Sequence, residues 1–340
     1  MQTQATPTHR PPRRQRRLAA LLVSMAAGAF PLSAVAVDKT AANYPSKPVT
    51  IINPHGTGGG TDILARAIAD KLRQKWNQAV IVENRPGANT AIGIEAASRA
   101  PADGYTLAMC TQASHGSNPA VYPKLRYDAL GDFVPIVILN DLTLYVLVKS
   151  DSPYRTMQDL LDAARKNPGK LTYASIGVGS LHHLAGELLK MRSGVSMLHV
   201  PYKATSDMLM AALSGQVDMI FHSTPLPLVE NGQVRILGVT TKDRWPISPE
   251  YPTLIEQEVP NYEVRGWFAF CARQGTPQPI LEKLNRDINE TLRDPDILKI
   301  IRNNGLRPLG GSLKEAHTLV ENEIKFWKDF VNTPGVTLEE

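Results

Sequence analysis

Val49-Thr50-Ile51-Ile52-Asn53-Pro54-His55-Gly56-Thr57-Gly58-Gly59-Gly60-Thr61-Asp62-Ile63-Leu64-Ala65-Arg66 carries the grammar that the rest of the chain repeats. The run from Pro48 to Asn53 predicts a buried strand, because it is apolar, β-branched and bounded by proline. A glycine-rich turn follows. Thr61-Asp62 is then expected to cap an amphipathic helix reaching Trp76, with Ile63, Leu64, Ala67, Ile68 and Leu72 on one face. Working outward, Ala79–Val82 reads as a second strand closed by Asn84-Arg85-Pro86-Gly87. Residues 91–100 read as a short helix and Thr106–Cys110 as a third strand. Strands alternating with helices predict an α/β fold built on a parallel sheet with helices on both faces.

The same grammar returns after residue 142. Leu144–Val148 predicts a strand and Met157–Lys166 a helix. Leu171–Ser175 predicts a strand that runs into Gly177-Val178-Gly179-Ser180 and a helix from Leu181 to Arg192. Met197–Val200, Val217–Phe221 and Arg235–Val239 read as strands and Ser206–Ser214 as a helix. A later strand is expected over 266–271, and helices over 277–293, 294–303 and 312–330. A chain of 340 residues exceeds what one hydrophobic core usually serves, so two lobes are expected.

Composition narrows the class. Hydrophobic residues make up 43% and charged residues 20%, ordinary for a globular chain. The formal net charge of +5 has a local origin. Residues 1–36 hold Arg10, Arg13, Arg14, Arg16 and Arg17 and no acid; without them 32 basic residues face 32 acidic ones. A nucleic-acid or anionic-membrane partner is therefore not indicated. The basic cluster, the apolar run Leu18–Leu32 and Ala34-Val35-Ala36 together predict a secretory signal peptide over 1–36, cleaved after Ala36. Both the general secretory route and twin-arginine export remain open. The mature protein is expected in a bacterial periplasm.

The chemistry points to the two glycine turns. Unpaired N–H groups at a helix N-terminus, aligned with the helix dipole, bind anions, and glycine lets a ligand approach the backbone. Two such turns at the carboxyl ends of strands could grip one anion from both sides. A second reading takes Gly56 to Thr61, followed by Glu83 on the next strand, as a dinucleotide-binding fingerprint. Thr61 in place of the third glycine and Asp62 beside the pyrophosphate position weigh against it. A third reading is an exported hydrolase using Ser180 and His183, although no G-x-S-x-G elbow is present. A fourth is a scaffold or adhesion protein.

The ordered motifs Tyr44-Pro45-Ser46-Lys47-Pro48, Gly58–Arg66, Val82–Ala88, Ala102–Leu107, Asp132–Ile136, Tyr173–Ser180, His183–Leu188, His199–Lys203, Gly215–Asp218 and Gly275-Thr276-Pro277 resemble the Bug extracytoplasmic receptors of tripartite tricarboxylate transporters. The resemblance runs from Tyr44 to about Gly335. It implies a type II periplasmic-binding-protein fold: two lobes with parallel-rich sheets, joined by a hinge of two crossing strands. The lobes would be 37–141 with 267–340, and 142–266. It implies a receptor rather than an enzyme, without cofactor or metal. Such a receptor holds a mono-, di- or tricarboxylic or aromatic acid in the cleft. It delivers that acid, as a monomer, to a membrane permease of two subunit types. The ligand-binding positions that follow are Thr57, Gly58, Gly59, Gly60, Thr61 and Asp62 in lobe one. In lobe two they are Ser175, Gly177, Gly179, Ser180 and His183, with Thr205 and Asp207 from the 202–207 loop. His55 departs from the aromatic residue common after the first-strand proline, and is a further candidate.

The remaining chemistry-bearing residues read as structure. His183 and Glu187 are spaced to share a helix face, but no HExxH accompanies them, so metal binding is not expected. His182, His199 and His222 are scattered along the sequence. Met208, Met210 and Met219 read as core. Cys110 and Cys271 end strands of the same lobe; buried free thiols are the expectation, with a bridge as the alternative.

Overall fold

The computed structural model describes residues 43–224, 226–334, 336 and 338. The predicted leader lies outside the described residues. Eleven strands form two sheets. They are β1 (Val49–Asn53), β2 (Val80–Asn84), β3 (Thr106–Thr111), β4 (Phe133–Thr143), β5 (Tyr145–Lys149), β6 (Thr172–Ser175), β7 (Leu198–Pro201), β8 (Met219–His222), β9 (Val234–Val239), β10 (Arg265–Arg273) and β11 (Arg307–Gly310). The first sheet has the order β11-β4-β10-β3-β1-β2 and the second β7-β6-β8-β5-β9.

Each sheet is parallel only where strand–helix–strand units build it. β1 pairs in parallel with β2 and β3, and β6 with β7 and β8. Around the strands that lead from one sheet to the other the pairing is antiparallel: β10 with β3 and β4, β11 with β4, and β5 with β8 and β9. The sheets are thus mixed rather than parallel-rich. The cause is topological, since β4 and β10 run in opposite directions between the lobes.

The lobes are joined where β4 passes into β5 through Leu144, and where the chain returns from β9 to β10. Thr240 ties the crossing segments together. Its amide donates to Leu144 O (2.9 Å), its hydroxyl donates to Val264 O (2.7 Å), and it accepts from Leu144 N (2.9 Å) and, at its carbonyl, from Val264 N (2.9 Å). These groups are buried, so the bonds keep two backbone crossings satisfied inside the protein.

The first helix, α1 (Gly60–Trp76), starts at Gly60 with Gly59 as its N-cap, two residues before a helix capped by Thr61 would start. Gly59 is extended and offers no side chain, and Asp62 supplies the missing acceptor from within the first turn. The helix buries Leu64, Ala65, Ile68, Ala69, Leu72 and Trp76, each large apolar residue contributing roughly 1.5–3 kcal/mol. Ile63, predicted for that face, is 42% exposed. α2 (Ala91–Ser98) follows, then a π-turn over Ala113–Ser117 and the short α3 (Asn118–Val121). In the second lobe α4 (Met157–Lys166) begins with a Thr156/Asp159 capping box. α5 (Leu181–Ser193), α6 (Thr205–Ser214) and α7 (Leu226–Glu230) complete that lobe. α8 (Gln278–Leu292), α9 (Pro295–Asn303) and α10 (Leu313–Val331) return to the first. No helix among the described residues is long and apolar enough to cross a membrane.

Two expectations are corrected. Cys110 and Cys271 are bridged rather than free. They lie on β3 and β10, where Cys110 faces Ala269 and Cys271 faces Ala108, a diagonal two residues from direct opposition, with Cα atoms 6.2 Å apart, inside the span a disulfide needs. Met208 and Met219 are fully buried, but Met210 is 62% exposed, because its position on α6 turns away from the sheet.

Candidate functional site

The lobe-one turn is an open cradle. Gly56 to Gly60 are all exposed, and a Cβ placed on Gly56, Gly58 or Gly60 would meet nothing within 4 Å. At Gly59 it would meet only Gly56 O, at 3.8 Å. Packing therefore does not demand these glycines, although Gly58 needs to be one for its φ of +82°. The amides of Gly59, Gly60, Thr61 and Asp62 form no hydrogen bond to another described residue. Four donors at the positive end of a helix are thus uncommitted, two on the exposed Gly59 and Gly60 and two on the buried Thr61 and Asp62.

A buried polar brace holds the cradle. Asp62, 2% exposed, accepts from Gly58 N (2.9 Å), Arg66 Nε (3.0 Å) and Asn84 Nδ2 (2.8 Å). Asn84 also donates to His55 O (3.0 Å). Burial pushes the Asp62 carboxyl up, but these donors outweigh it and hold it at about 2. The Asp62 carboxylate therefore braces the turn from within, and Thr61 is buried beside it. Thr57 is exposed on the turn. His55 is half-buried, its Nδ1 is buried without a partner, and burial lowers its basicity.

The lobe-two turn is built differently. Gly177 N donates to Ser175 Oγ (3.0 Å), Gly179 N to His183 Nδ1 (3.1 Å) and Ser180 N to Gly177 O (3.2 Å). Ser180 Oγ caps α5 by accepting from His183 N (3.3 Å). Lobe one presses on this turn. Tyr122, just after α3, donates its hydroxyl to Val178 O (2.9 Å), and Asn89 Nδ2 lies 3.4 Å from Gly179 O. A Cβ on Gly179 would stand 2.9 Å from Val121 Cγ1 and 3.0 Å from Tyr122 Oη.

Behind the turn is a network that the sequence does not suggest. The imidazoles of His183 and His199 have centroids 4.2 Å apart, and His199 Nε2 lies 2.6 Å from Ser175 Oγ. Glu187 accepts from Tyr173 (2.5 Å) and Lys190 (2.8 Å), with His183 Nε2 4.0 Å away. Burial, then His199 and Lys190, push His183 down to about 3, so it is a neutral acceptor for the Gly179 amide. The strand order β7-β6-β8 brings His199 beside Ser175, which no linear spacing signals. Likewise His182 and His222 are not scattered: His222, at the end of β8, is close enough to His182 on α5 to depress its basicity.

Thr205 and Asp207 sit exposed on the first turn of α6, apart from these networks. Asn84, Asn89, Tyr122, His182 and His222 are the site-region residues that the sequence reading missed. The first two belong to stretches readable only as turns.

Two other places invite a ligand. Cys110, His115 and Cys271 converge, fully buried, but the sulfurs a metal would need are joined to each other. A cavity of about 760 Å³ runs along α10 between Glu263, Arg265, Asn322 and Glu323. It is an open groove of mixed charge containing none of the turn residues.

The profile of the tripartite tricarboxylate transporter family receptors, TctC, matches residues 64–336. The chain belongs to this family. A UPF0065 protein from the tcbD-tcbE intergenic region of Pseudomonas sp. (strain P51) is 36% identical over 291 residues, 85% of this chain and 86% of that protein. A Rhodopseudomonas palustris structure with adipate superposes with a TM-score of 0.78 at 35% identity, over 86% of this chain and 99% of that one. R. palustris MatC with bound malate gives 0.75 at 28% identity, over 85% and 100%. The TctC chain is thus a solute-binding receptor with the two-lobed periplasmic-binding-protein architecture. The hydrolase reading is not favoured. The His183 ring is engaged by Gly179 N and faces Glu187, and only its backbone N–H meets Ser180. The dinucleotide reading fails at Asp62, whose carboxylate closes the turn from within.

Proposed function

We propose that this TctC receptor captures an organic carboxylate between its lobes in the periplasm and passes it, chemically unchanged, to a membrane permease of two subunit types, acting as a monomer exported through a cleaved leader. The observation that carries the reading is the row of four uncommitted amides over Gly59–Asp62 in an exposed glycine turn. One carboxylate oxygen pair matches such a row, and charge-assisted bonds of this kind need no metal. His55, next to the cradle, is placed to donate to the same ligand or stack on it. The lobe-two turn, with the amides of Gly177, Gly179 and Ser180 internally bonded, acts chiefly as the closing jaw. Ser175, Gly177, Ser180, Thr205 and Asp207 offer polar groups on that jaw. Adipate and malate bound to the two related structures supply the ligand class.

The test is calorimetric titration and thermal shift with a panel of carboxylic acids, followed by recovery of the ligand. Saturable binding with the acid recovered intact is expected. A recovered reaction product would favour a hydrolase, and no stabilisation by any acid would overturn the carboxylate reading.

A further inference from the structure

The cradle accounts for one end of a ligand. What meets the other end is visible at the carboxyl edge of the second sheet. His182 is the second residue of α5, directly after the Gly177–Ser180 turn, and His222 closes β8, the neighbour of β6. Both therefore stand at the strand ends that face lobe one. Two contacts fix that placement. A Cβ on Gly266, in the crossing strand β10, would lie 3.1 Å from Leu181 Cδ2, and one on Gly305 of lobe one would lie 3.3 Å from Ser223 O.

His182 Nδ1 is buried and has no hydrogen-bond partner among the described residues. An orphaned buried polar atom costs about 1–3 kcal/mol, so a partner beyond the described residues would stabilise it. His222, 9% exposed, accepts from Thr224 N at Nδ1 (3.1 Å), which leaves its Nε2 as the donor. Two neutral imidazoles at the ends of neighbouring strand units, both able to donate and both able to gain a proton, suit an anionic oxygen.

We propose that His182 and His222 receive the far group of the ligand, so that the receptor selects acids bearing a second carboxylate and takes up a proton as it binds them. This rests on the carboxylate reading above. Burial first, then His222, pushes His182 down to about 4, and burial lowers His222 as well. Both are uncharged in the empty receptor at neutral pH. A carboxylate placed against them raises their affinity for protons, so binding strengthens as pH falls, by up to about tenfold per pH unit for each proton taken up. Among the described residues no other charged group shifts His182 or His222. His183, His199, Glu187 and Lys190 act on one another, and Tyr145, opposite His222 on β5, is bonded to Ser248.

The test uses matched pairs of equal chain length, butyrate with succinate, pentanoate with glutarate and hexanoate with adipate, titrated into the mature protein at several pH values. At least one diacid is expected to bind about tenfold or more tighter than its monoacid, with the margin widening toward acid. His182→Ala with His222→Ala should bring that pair to within about twofold. His182→Gln with His222→Gln, which keeps an N–H donor and cannot titrate, should retain part of the preference with a flat pH profile, whether or not the alanine form folds. Equal binding of diacid and monoacid, or an unchanged pH profile in the glutamine form, overturns the histidine assignment alone. If none of the six acids binds, the carboxylate reading falls and this inference with it.

Discussion

The two glycine turns stand at equivalent places, each between a parallel strand and the helix that follows it, yet they solve opposite problems. At 56–60 the backbone is exposed, its amides are unused, and nothing packs where a side chain would go. At 177–180 the amides of Gly177, Gly179 and Ser180 bond to Ser175, His183 and Gly177, and lobe one presses on Gly179. Glycine leaves the backbone open in the first turn, and in the second it lets two lobes touch. One sequence grammar thus supports an anion cradle on one side of the cleft and a closing jaw on the other.

The largest expected effect separates access from packing. Gly59 is an N-cap with φ −75° and ψ 168°, a conformation any residue adopts, and a Cβ there meets only one backbone oxygen. Gly59→Val should therefore fold with a melting temperature close to that of the parent. Its branched side chain covers the free amides, so affinity for the best acid should fall by about a hundredfold or more, which calorimetry measures. Normal binding by this variant would remove the cradle from the site.

Gly179→Ala sharpens the contrast from the other side. The residue has φ +74°, and its new methyl group would collide with Val121 and Tyr122. The left-handed backbone costs the fold about 1–2 kcal/mol in any state, whereas the collision opposes closure alone, so affinity should drop roughly tenfold while the cradle stays intact. Small-angle scattering with saturating ligand should show a less compact particle than the parent. A fully compact variant with parental affinity would mean that the lobes meet elsewhere.

These variants also mark what could be read from residues alone. The strand–turn–helix units were legible because their apolar runs and glycines are local signals. β4 was not: Pro135 interrupts it and Asn140-Asp141 make it look polar. The structure absorbs the proline at a register shift against β10, and Asp141 is matched by Arg307 from β11, residues apart by far more than any pattern window. At the site, the cradle was legible as a glycine run. The occupation of the lobe-two amides, the His183–His199 stack and the bridge between Cys110 and Cys271 depend on which strands are neighbours. Strand order is a property of the whole chain.

The cradle's brace gives a pH signature. Asp62 is held at about 2 against an ordinary 3.8, so its folded form is the weaker base. A carboxylate depressed on folding stabilises above its unfolded value, and that contribution disappears as pH falls from about 4 toward about 2. Denaturant unfolding across that window should show the parent losing stability that Asp62→Asn never had, with the two curves converging at the acid end. The variant also loses the ion pair with Arg66, so its turn should hold ligand several-fold less tightly at neutral pH.

The smallest effect probes the jaw's latch. Tyr122 donates one hydrogen bond from lobe one to Val178 O in lobe two, and the rest of its ring stays in place in Tyr122→Phe. A net hydrogen bond contributes about 0.5–1.5 kcal/mol, so ligand should leave roughly two- to tenfold faster. The association rate should barely change, because the open receptor presents the cradle before Tyr122 meets its partner. Stopped-flow kinetics therefore distinguishes the two turns directly: a cradle variant loses the bound state altogether, whereas a latch variant shortens its lifetime. If Tyr122→Phe slowed association instead, Tyr122 would have to act on the cradle, and the division of labour between the turns would no longer hold.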